Sequence, residues 1–362
     1  MTGRHPVRIV GAFPPPVHGF ALINSAIAER LSAMQVDVVC LPTNPPPGLS
    51  AFAYAAAKVA SAARATRALW RDGCQGGSLL IALDGGTGLY LNIIEMMIAR
   101  RSFSQVFVYH HSSKAVVARS PAMAQLVRAA GPKARHVLCS DEMARRFATL
   151  YSLRGATIVV DNAAYVSNTT PHAGRRETDV LVLGFLGNLI RSKGVLDALA
   201  TLKLLRQEGL AAKLIIAGPF VDPDVRDELL AAKRLLGDAL EMVGPISPDD
   251  RHAFFARLDA LMFPSRYPHE ANPLVVSEAM AAGVPVIAVA HRFVAEILEA
   301  MPDALIPADV PFAPAAAALL RTWAAHPGEL AQRSLAVRTS FLERKARADA
   351  QFSAFVRQLV AA

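Results

Sequence analysis

The stretch Phe263-Pro-Ser-Arg-Tyr-Pro-His-Glu270-Ala-Asn-Pro-Leu-Val-Val-Ser-Glu278-Ala-Met-Ala-Ala-Gly283-Val-Pro-Val-Ile-Ala-Val289 decides the fold. An apolar run from Ala260 to Phe263 stops at Pro264-Ser265, which reads as a buried strand giving way to a loop. The loop carries Arg266, His269, Glu270 and Asn272. Pro273 suits the first turn of a helix, where its missing N–H costs nothing. The helix is expected over about residues 274–282, with Gly283 just past its end and the next strand from Val284 to Val289. Unpaired N–H groups and the positive dipole end make such a helix N-terminus an anion seat. Glu270 and Glu278 place an acidic hydrogen-bond acceptor on either side of it.

A second stretch restarts the same pattern: Val180-Leu-Val-Leu-Gly-Phe-Leu-Gly187-Asn188-Leu-Ile-Arg191-Ser-Lys193-Gly194. It reads as strand, glycine turn, basic pair and then a helix to about Glu208. Together, Pro-Ser, Glu-x7-Glu and Ala-Met-Ala-x-Gly-x-Pro-Val-Ile-Ala resemble the signature of the retaining, nucleotide-sugar-dependent glycosyltransferases of family 4, glycosyl transferases group 1. The likeness is sharp from 180 to 298 and looser before that. It implies an α/β chain of the GT-B class, with two doubly wound Rossmann-like domains facing a cleft. Residues 1–170 would form the acceptor-side domain and 171–340 the donor-binding domain, with a helix over 341–362 folding back on the first.

The resemblance also assigns roles. Glu278 would grip the ribose hydroxyls of a nucleoside diphosphate sugar and Glu270 the hydroxyls of its sugar. Asn272, Leu274 and Val275 would line the donor site at the helix N-terminus. The Gly187 turn resembles the family's Gly-Arg-x4-Lys-Gly phosphate element, with Asn188 where an arginine is common. Either Arg191 supplies the missing charge or the diphosphate is held less tightly. Arg191 and Lys193 would neutralise charge building on the leaving diphosphate, so no metal ion or other cofactor is expected. Ala290-His291-Arg292-Phe293 replaces a glycine pair common in the family, which puts the sugar contacts in that corner in doubt, while Glu296 keeps its usual acidic position. Whether Glu270 acts as a nucleophile or the acceptor attacks on the leaving-group face stays open.

The first half opens with a strand from Val7 to Gly11, a turn from Ala12 to Gly19 and a helix over about 20–34. It lacks Gly-x-Gly-x-x-Gly, which removes support from a nicotinamide dehydrogenase. By resemblance Gly19 lets backbone approach donor or acceptor; a turn that merely needs glycine is the plain alternative. Further strands are expected over 36–41, 79–84, 105–109, 135–139 and 157–160. A helix over 51–71 carries Lys58, Arg64, Arg67 and Arg71 along one side. That side could rest on a membrane surface or simply face water. Gly85-Gly86-Thr87-Gly88 reads as a tight turn first and a ligand loop second. The strand ending at Tyr109 runs into His110-His111-Ser112-Ser113, at the carboxyl end where α/β sheets collect ligands. The family carries a histidine there; His111 is assigned that role and His110 is the alternate. Ser140 is expected to cap a helix from about Met143, and Ser167 to Glu177 reads as an interdomain linker. The C-terminus is expected to form helices over 314–325, 327–347 and 352–362.

At 362 residues the chain has room for two cores. Hydrophobic residues make up 53%, largely through alanine, yet no window of about twenty is both apolar and charge-free. The start of the chain lacks a signal-peptide core, and three scattered cysteines, Cys40, Cys74 and Cys139, suit a reducing compartment as buried thiols. A cytoplasmic location is expected, with peripheral attachment to the inner membrane face. The net charge of +8 is lopsided: residues 1–170 hold 17 of 38 basic and 8 of 30 acidic side chains. That excess favours an anionic partner, a membrane surface or a lipid-phosphate acceptor. No nucleic-acid motif accompanies it. The expected activity is transfer of a sugar, with retention, from a nucleoside diphosphate sugar to a glycan or lipid-linked acceptor. A sugar-nucleotide epimerase and a non-catalytic sugar-nucleotide-binding relative are the alternatives.

Overall fold

The structure, a computed structural model, describes residues 6–15, 19–46, 48–72, 77–83, 88–168 and 180–361. Two compact units emerge, Met1–Tyr165 with Arg347–Ala362, and Val166–Ala346.

Unit 1 runs β1 (Val7–Gly11), α1 (Gly19–Ala33), β2 (Val38–Pro42), α2 (Ala51–Asp72), β3 (Ser78–Ala82), α3 (Gly88–Ser102), β4 (Gln105–Tyr109), α4 (Lys114–Val117), α5 (Pro121–Ala130), β5 (Arg135–Leu138), α6 (Asp141–Tyr151) and β6 (Thr157–Val159). Its six strands are parallel in the order β2-β1-β3-β4-β5-β6. β1 and β3 are buried along their whole length, as strands covered on both faces must be. Chain order reverses at β1, which pairs with β2 on one side and β3 on the other.

Unit 2 runs β7 (Leu181–Leu186), α7 (Val195–Gln207), β8 (Ala212–Ala217), α8 (Pro223–Leu236), β9 (Leu240–Gly244), α9 (Arg251–Phe255), β10 (Ala260–Phe263), α10 (Leu274–Ala281), β11 (Val286–Val289), α11 (Arg292–Ile297), β12 (Leu305–Ile306), α12 (Phe312–Ala325) and α13 (Pro327–Val360). The sheet order is β12-β11-β10-β7-β8-β9, again all parallel, and the reversal falls between β7 and β10. Each unit is thus a doubly wound sheet, and the α/β class with two Rossmann-like domains is what the chain adopts.

Several local expectations shift. Residues 327–360 form one continuous helix rather than two, because no proline or glycine follows Gly328 to break it. α5 was not anticipated, although Ser120 caps it through Met123 N–H and Pro121 fills its first turn. The cap at Ser140 is as expected, accepting from Met143 N–H at 3.3 Å. Cys139 is buried, but Cys40 is exposed on a strand at the edge of the sheet, contrary to the expectation of buried thiols. Cys74, the glycine turn at 84–87 and most of the 167–177 linker lie outside the described residues.

Candidate active site

The carboxyl ends of β7 and β10 meet at the reversal of unit 2's sheet, where open α/β sheets bind ligands. β7 delivers Gly187 and Asn188, then Arg191–Lys193 in a short 3-10 turn that ends at Gly194 in the left-handed region, φ 78°. β10 delivers the loop from Pro264 to Pro273. The two loops touch through Gly194: a Cβ there would lie 2.4 Å from the Pro264 carbonyl oxygen. Arg266 N–H donates to the Ser192 carbonyl at 2.9 Å, and the Arg266 guanidinium pairs with Asp197 at 2.9 Å. Gly218, at φ 138°, presses against the Gly187 carbonyl, where any Cβ would sit 1.8 Å from the oxygen. A Cβ added at Gly187 would meet nothing within 4 Å among the described residues.

This scaffold brings Lys193 and Glu270 together as an ion pair. Glu270 is buried, and its Oε1 also accepts from Ser265 Oγ at 2.9 Å. The Lys193 ammonium lies 4.9 Å from the centre of the Tyr267 ring, a cation–π contact. Two sequence-assigned residues, 77 positions apart, therefore form one charged centre.

Arg191 does not join them. Its guanidinium pairs with Glu228 of α8 at 2.6 Å on the exposed surface, which raises its pKa. Asn188 is exposed beside the turn. Asp222-Pro223-Asp224 has the spacing of an Asp-x-Asp metal motif, but it opens α8, with the Asp222 carboxylate accepting from Asp224 N–H at 3.1 Å.

α10 begins at Leu274 behind Pro273, and no side chain among the described residues caps it. The N–H groups of its first turn, Leu274 and Val275 among them, therefore point toward the loop without a side-chain acceptor. Asn272, just ahead, is buried and accepts from Arg344 at 3.0 Å. The same guanidinium donates to Ser277 Oγ at 3.2 Å, so α13 fixes both loop and helix. Glu278 sits one turn further in and is held by Arg251 of α9 at 2.5 Å. Burial pushes the Glu278 carboxyl above its ordinary range, and Arg251 opposes that shift. Its second oxygen, Oε2, has no hydrogen-bond partner among the described residues. Arg251 and Arg344 escaped sequence reasoning because neither lies in a motif; they stand 27 and 72 or fewer residues from their partners.

In unit 1 the carboxyl ends of β1, β3 and β4 border a cavity of about 540 Å³, lined by Phe20, Asn24, Tyr54, Lys58, Tyr90 and His111 among others. His111 is buried and sandwiched between Phe20 (5.0 Å) and Tyr109 (4.3 Å), so it joins Gly19-Phe20 at the start of α1. His110 turns away into the core, where its Nε2 shares a 2.9 Å hydrogen bond with His136 Nδ1. Burial, with His136 and His111 nearby, holds His110 well below the usual histidine pKa; burial alone lowers His136 to about 4.

Residues 168–330 match the family model described as Glycosyl transferases group 1. The chain is 33% identical over 152 residues to a glycogen synthase of Mycobacterium tuberculosis, covering 42% of this chain and 36% of the relative. It is 34% identical over 116 residues to a lipopolysaccharide 1,2-N-acetylglucosaminetransferase of Salmonella typhimurium, covering 30% of each. The chain thus spans about a third of the length of these curated relatives. The whole chain resembles the crystal structure of Anabaena Alr3699/HepE in complex with UDP and glucose: TM-score 0.69, 17% identity, 98% of this chain and 100% of that one. That likeness establishes a shared fold, the GT-B class anticipated from the sequence.

Proposed function

We propose that this chain is a glycosyltransferase that moves a sugar from a nucleoside diphosphate sugar, bound in unit 2, to a glycan or lipid-linked acceptor. The observation that carries this reading is the Lys193–Glu270 pair beside the uncapped N-terminus of α10, with Glu278 behind it. The match of residues 168–330 to a glycosyltransferase family, and the UDP and glucose named with the HepE structure, support it. We assign the chain to family 4, with a retaining, metal-independent reaction and a cytoplasmic, membrane-peripheral location.

As the bond between anomeric carbon and phosphate oxygen lengthens, the diphosphate gains negative charge and the sugar ring gains positive charge. The Lys193 ammonium and the first N–H groups of α10 would stabilise the former, preorganised in a half-buried site. Binding of a diphosphate draws Lys193 toward phosphate and leaves the Glu270 carboxylate to the donor sugar. Glu278 Oε2, without a partner here, suits a ribose hydroxyl donor. Arg191 would reach the diphosphate only by leaving Glu228. His111, which lines the unit 1 cavity, would serve the acceptor side together with Gly19.

Incubation with UDP-, GDP- and ADP-sugars and a panel of glycan acceptors, in the presence of EDTA, tests the reading. Transfer with an unchanged anomeric configuration in the product is expected. A changed sugar without acceptor would make the chain an epimerase, and activity restored only by Mg²⁺ or Mn²⁺ would refute metal independence.

A further inference from the structure

The ion pair between Arg251 and Glu278 is incomplete on both sides. Arg251 opens α9, a helix of five residues whose entry is tied by Ser247 Oγ donating to the Asp250 carboxylate at 2.7 Å. Phe254 and Phe255, both buried and set edge to face at 5.4 Å, anchor the same short helix in the core. Glu278 comes from α10, where Ser277, Ala279 and Met280 around it are buried. Both partners therefore stand on fixed backbone. Arg251 Nη1 donates to Glu278 Oε1 at 2.5 Å, with the two side chains only 19% and 17% exposed.

A bidentate fork, the strong form of such a pair, would engage both carboxylate oxygens. This pair is joined at one. Arg251 Nε and Glu278 Oε2 are buried, and neither has a hydrogen-bond partner among the described residues. In an exposed pair such as Arg191 with Glu228, water completes the shells; a buried donor or acceptor left unpaired instead costs its full desolvation. The two orphaned atoms also narrow what fits beside them. Nε–H only donates and a carboxylate oxygen only accepts. A phosphate offers acceptors alone and an ammonium donors alone, so each would satisfy one atom and be repelled by the other. A hydroxyl donates its proton and accepts on its lone pairs, so one hydroxyl, or two on adjacent carbons, answers both.

We propose that Arg251 is a specificity-determining residue for the donor: its Nε–H and Glu278 Oε2 together hold the 2′,3′-diol of the ribose and so select ribonucleotides over deoxyribonucleotides. The inference rests on the reading of unit 2 as a nucleoside diphosphate sugar site. It adds a second, cationic reader of the ribose hydroxyls beside the carboxylate. Arg251 is then a contact to the ligand and more than the counter-ion of Glu278. Its charge serves that purpose too, opposing the burial that raises the Glu278 pKa and keeping the carboxylate ready to accept.

Calorimetric titration of the full chain with UDP, GDP and ADP identifies the nucleotide that binds, and its 2′-deoxy and 3′-deoxy forms follow. In wild type, loss of one of the two hydroxyls should weaken binding by about tenfold or more, because it leaves Nε–H or Oε2 buried and unpaired. Arg251→Lys keeps a charge beside Glu278 but has no Nε–H and no fork. Its preference for the ribonucleotide over the deoxy forms should shrink by roughly threefold or more, while inorganic pyrophosphate binds as it does to wild type. Wild type that takes both deoxy forms within about twofold of the ribonucleotide overturns the proposal, with no variant needed. An Arg251→Lys protein, folded by circular dichroism, that keeps the full preference would reduce Arg251 to a counter-ion and overturn it as well. Either result leaves the donor site itself standing. That reading falls if wild type binds no nucleoside diphosphate, and the ribose assignment falls with it.

Discussion

Gly194 gives the sharpest structural prediction, because two independent costs meet there. Its φ of 78° lies in the left-handed region, where an L-residue pays about 1–2 kcal/mol. A Cβ would lie 2.4 Å from the Pro264 carbonyl oxygen and 2.7 Å from its ring, about an ångström inside normal contact. Those neighbours belong to the backbone and a fixed ring, so relief needs movement of the loop, and such overpacking costs about 1–3 kcal/mol. Gly194→Ala should therefore destabilise unit 2 by roughly 2–5 kcal/mol, a fall in Tm of roughly 5–15 °C for a unit of this size. The same shift separates the loop bearing Lys193 from the loop bearing Glu270, so affinity for a free nucleoside diphosphate should fall with it. Gly187→Ala is the control: a Cβ there meets nothing within 4 Å, so Tm should hold, while a diphosphate seated against that turn is crowded and binds less well. Calorimetric unfolding of both variants, with nucleotide titration, reads all four quantities. A Gly194→Ala protein within a degree of wild type, with unchanged nucleotide affinity, would refute the claim that this contact joins the two halves of the site.

Glu278 is expected to bind ribose hydroxyls that change little during reaction, so Glu278→Gln should raise KM about tenfold and spare kcat. Because burial raises the Glu278 pKa above 4.5, donor affinity should fall as pH drops through that raised value, and the Gln variant should lack this acid limb. Glu270→Gln should instead lower kcat far more than it moves KM, since a carboxylate near the ring favours the transition state; steady-state kinetics showing the reverse pattern would overturn both roles. Burial lowers the His136 pKa from 6.5 to about 4, so its own contribution to folding stability should be full above pH 6.5 and be lost, by about 3 kcal/mol, as pH drops through that window. Urea unfolding of His136→Gln, which keeps a partner for His110, should show a shallower decline; an unchanged slope would rule out His136 as its source.

The residues with clear motif spacing were read well because their spacing is itself structural. Pro264-Ser265, Pro273 and Gly283 punctuate the β10–α10–β11 unit through backbone constraints that the sequence states directly. The pairing of Lys193 with Glu270 needed the strand order, since β7 and β10 are neighbours only because the sheet reverses there. Arg251 and Arg344 were invisible for the same reason: each reaches the site from an element whose own sequence reads as an ordinary helix. Choosing between His110 and His111 required knowing which face of β4's end meets the cavity and which meets His136. Arg191 shows the limit of spacing: a basic residue in the motif pairs with a surface carboxylate, Glu228, that no local pattern announces.

If Lys193 and Glu270 form the seat of a nucleoside diphosphate sugar, calorimetric titration of UDP, GDP and ADP, with and without the attached sugar, into wild type and Lys193→Ala will reveal it. One nucleotide series should bind wild type, and Lys193→Ala should weaken it by about tenfold or more, the loss of a charge-assisted contact of roughly 1.5–3 kcal/mol. Equal affinity in both proteins, or no binding of any nucleoside diphosphate to wild type, would contradict the account.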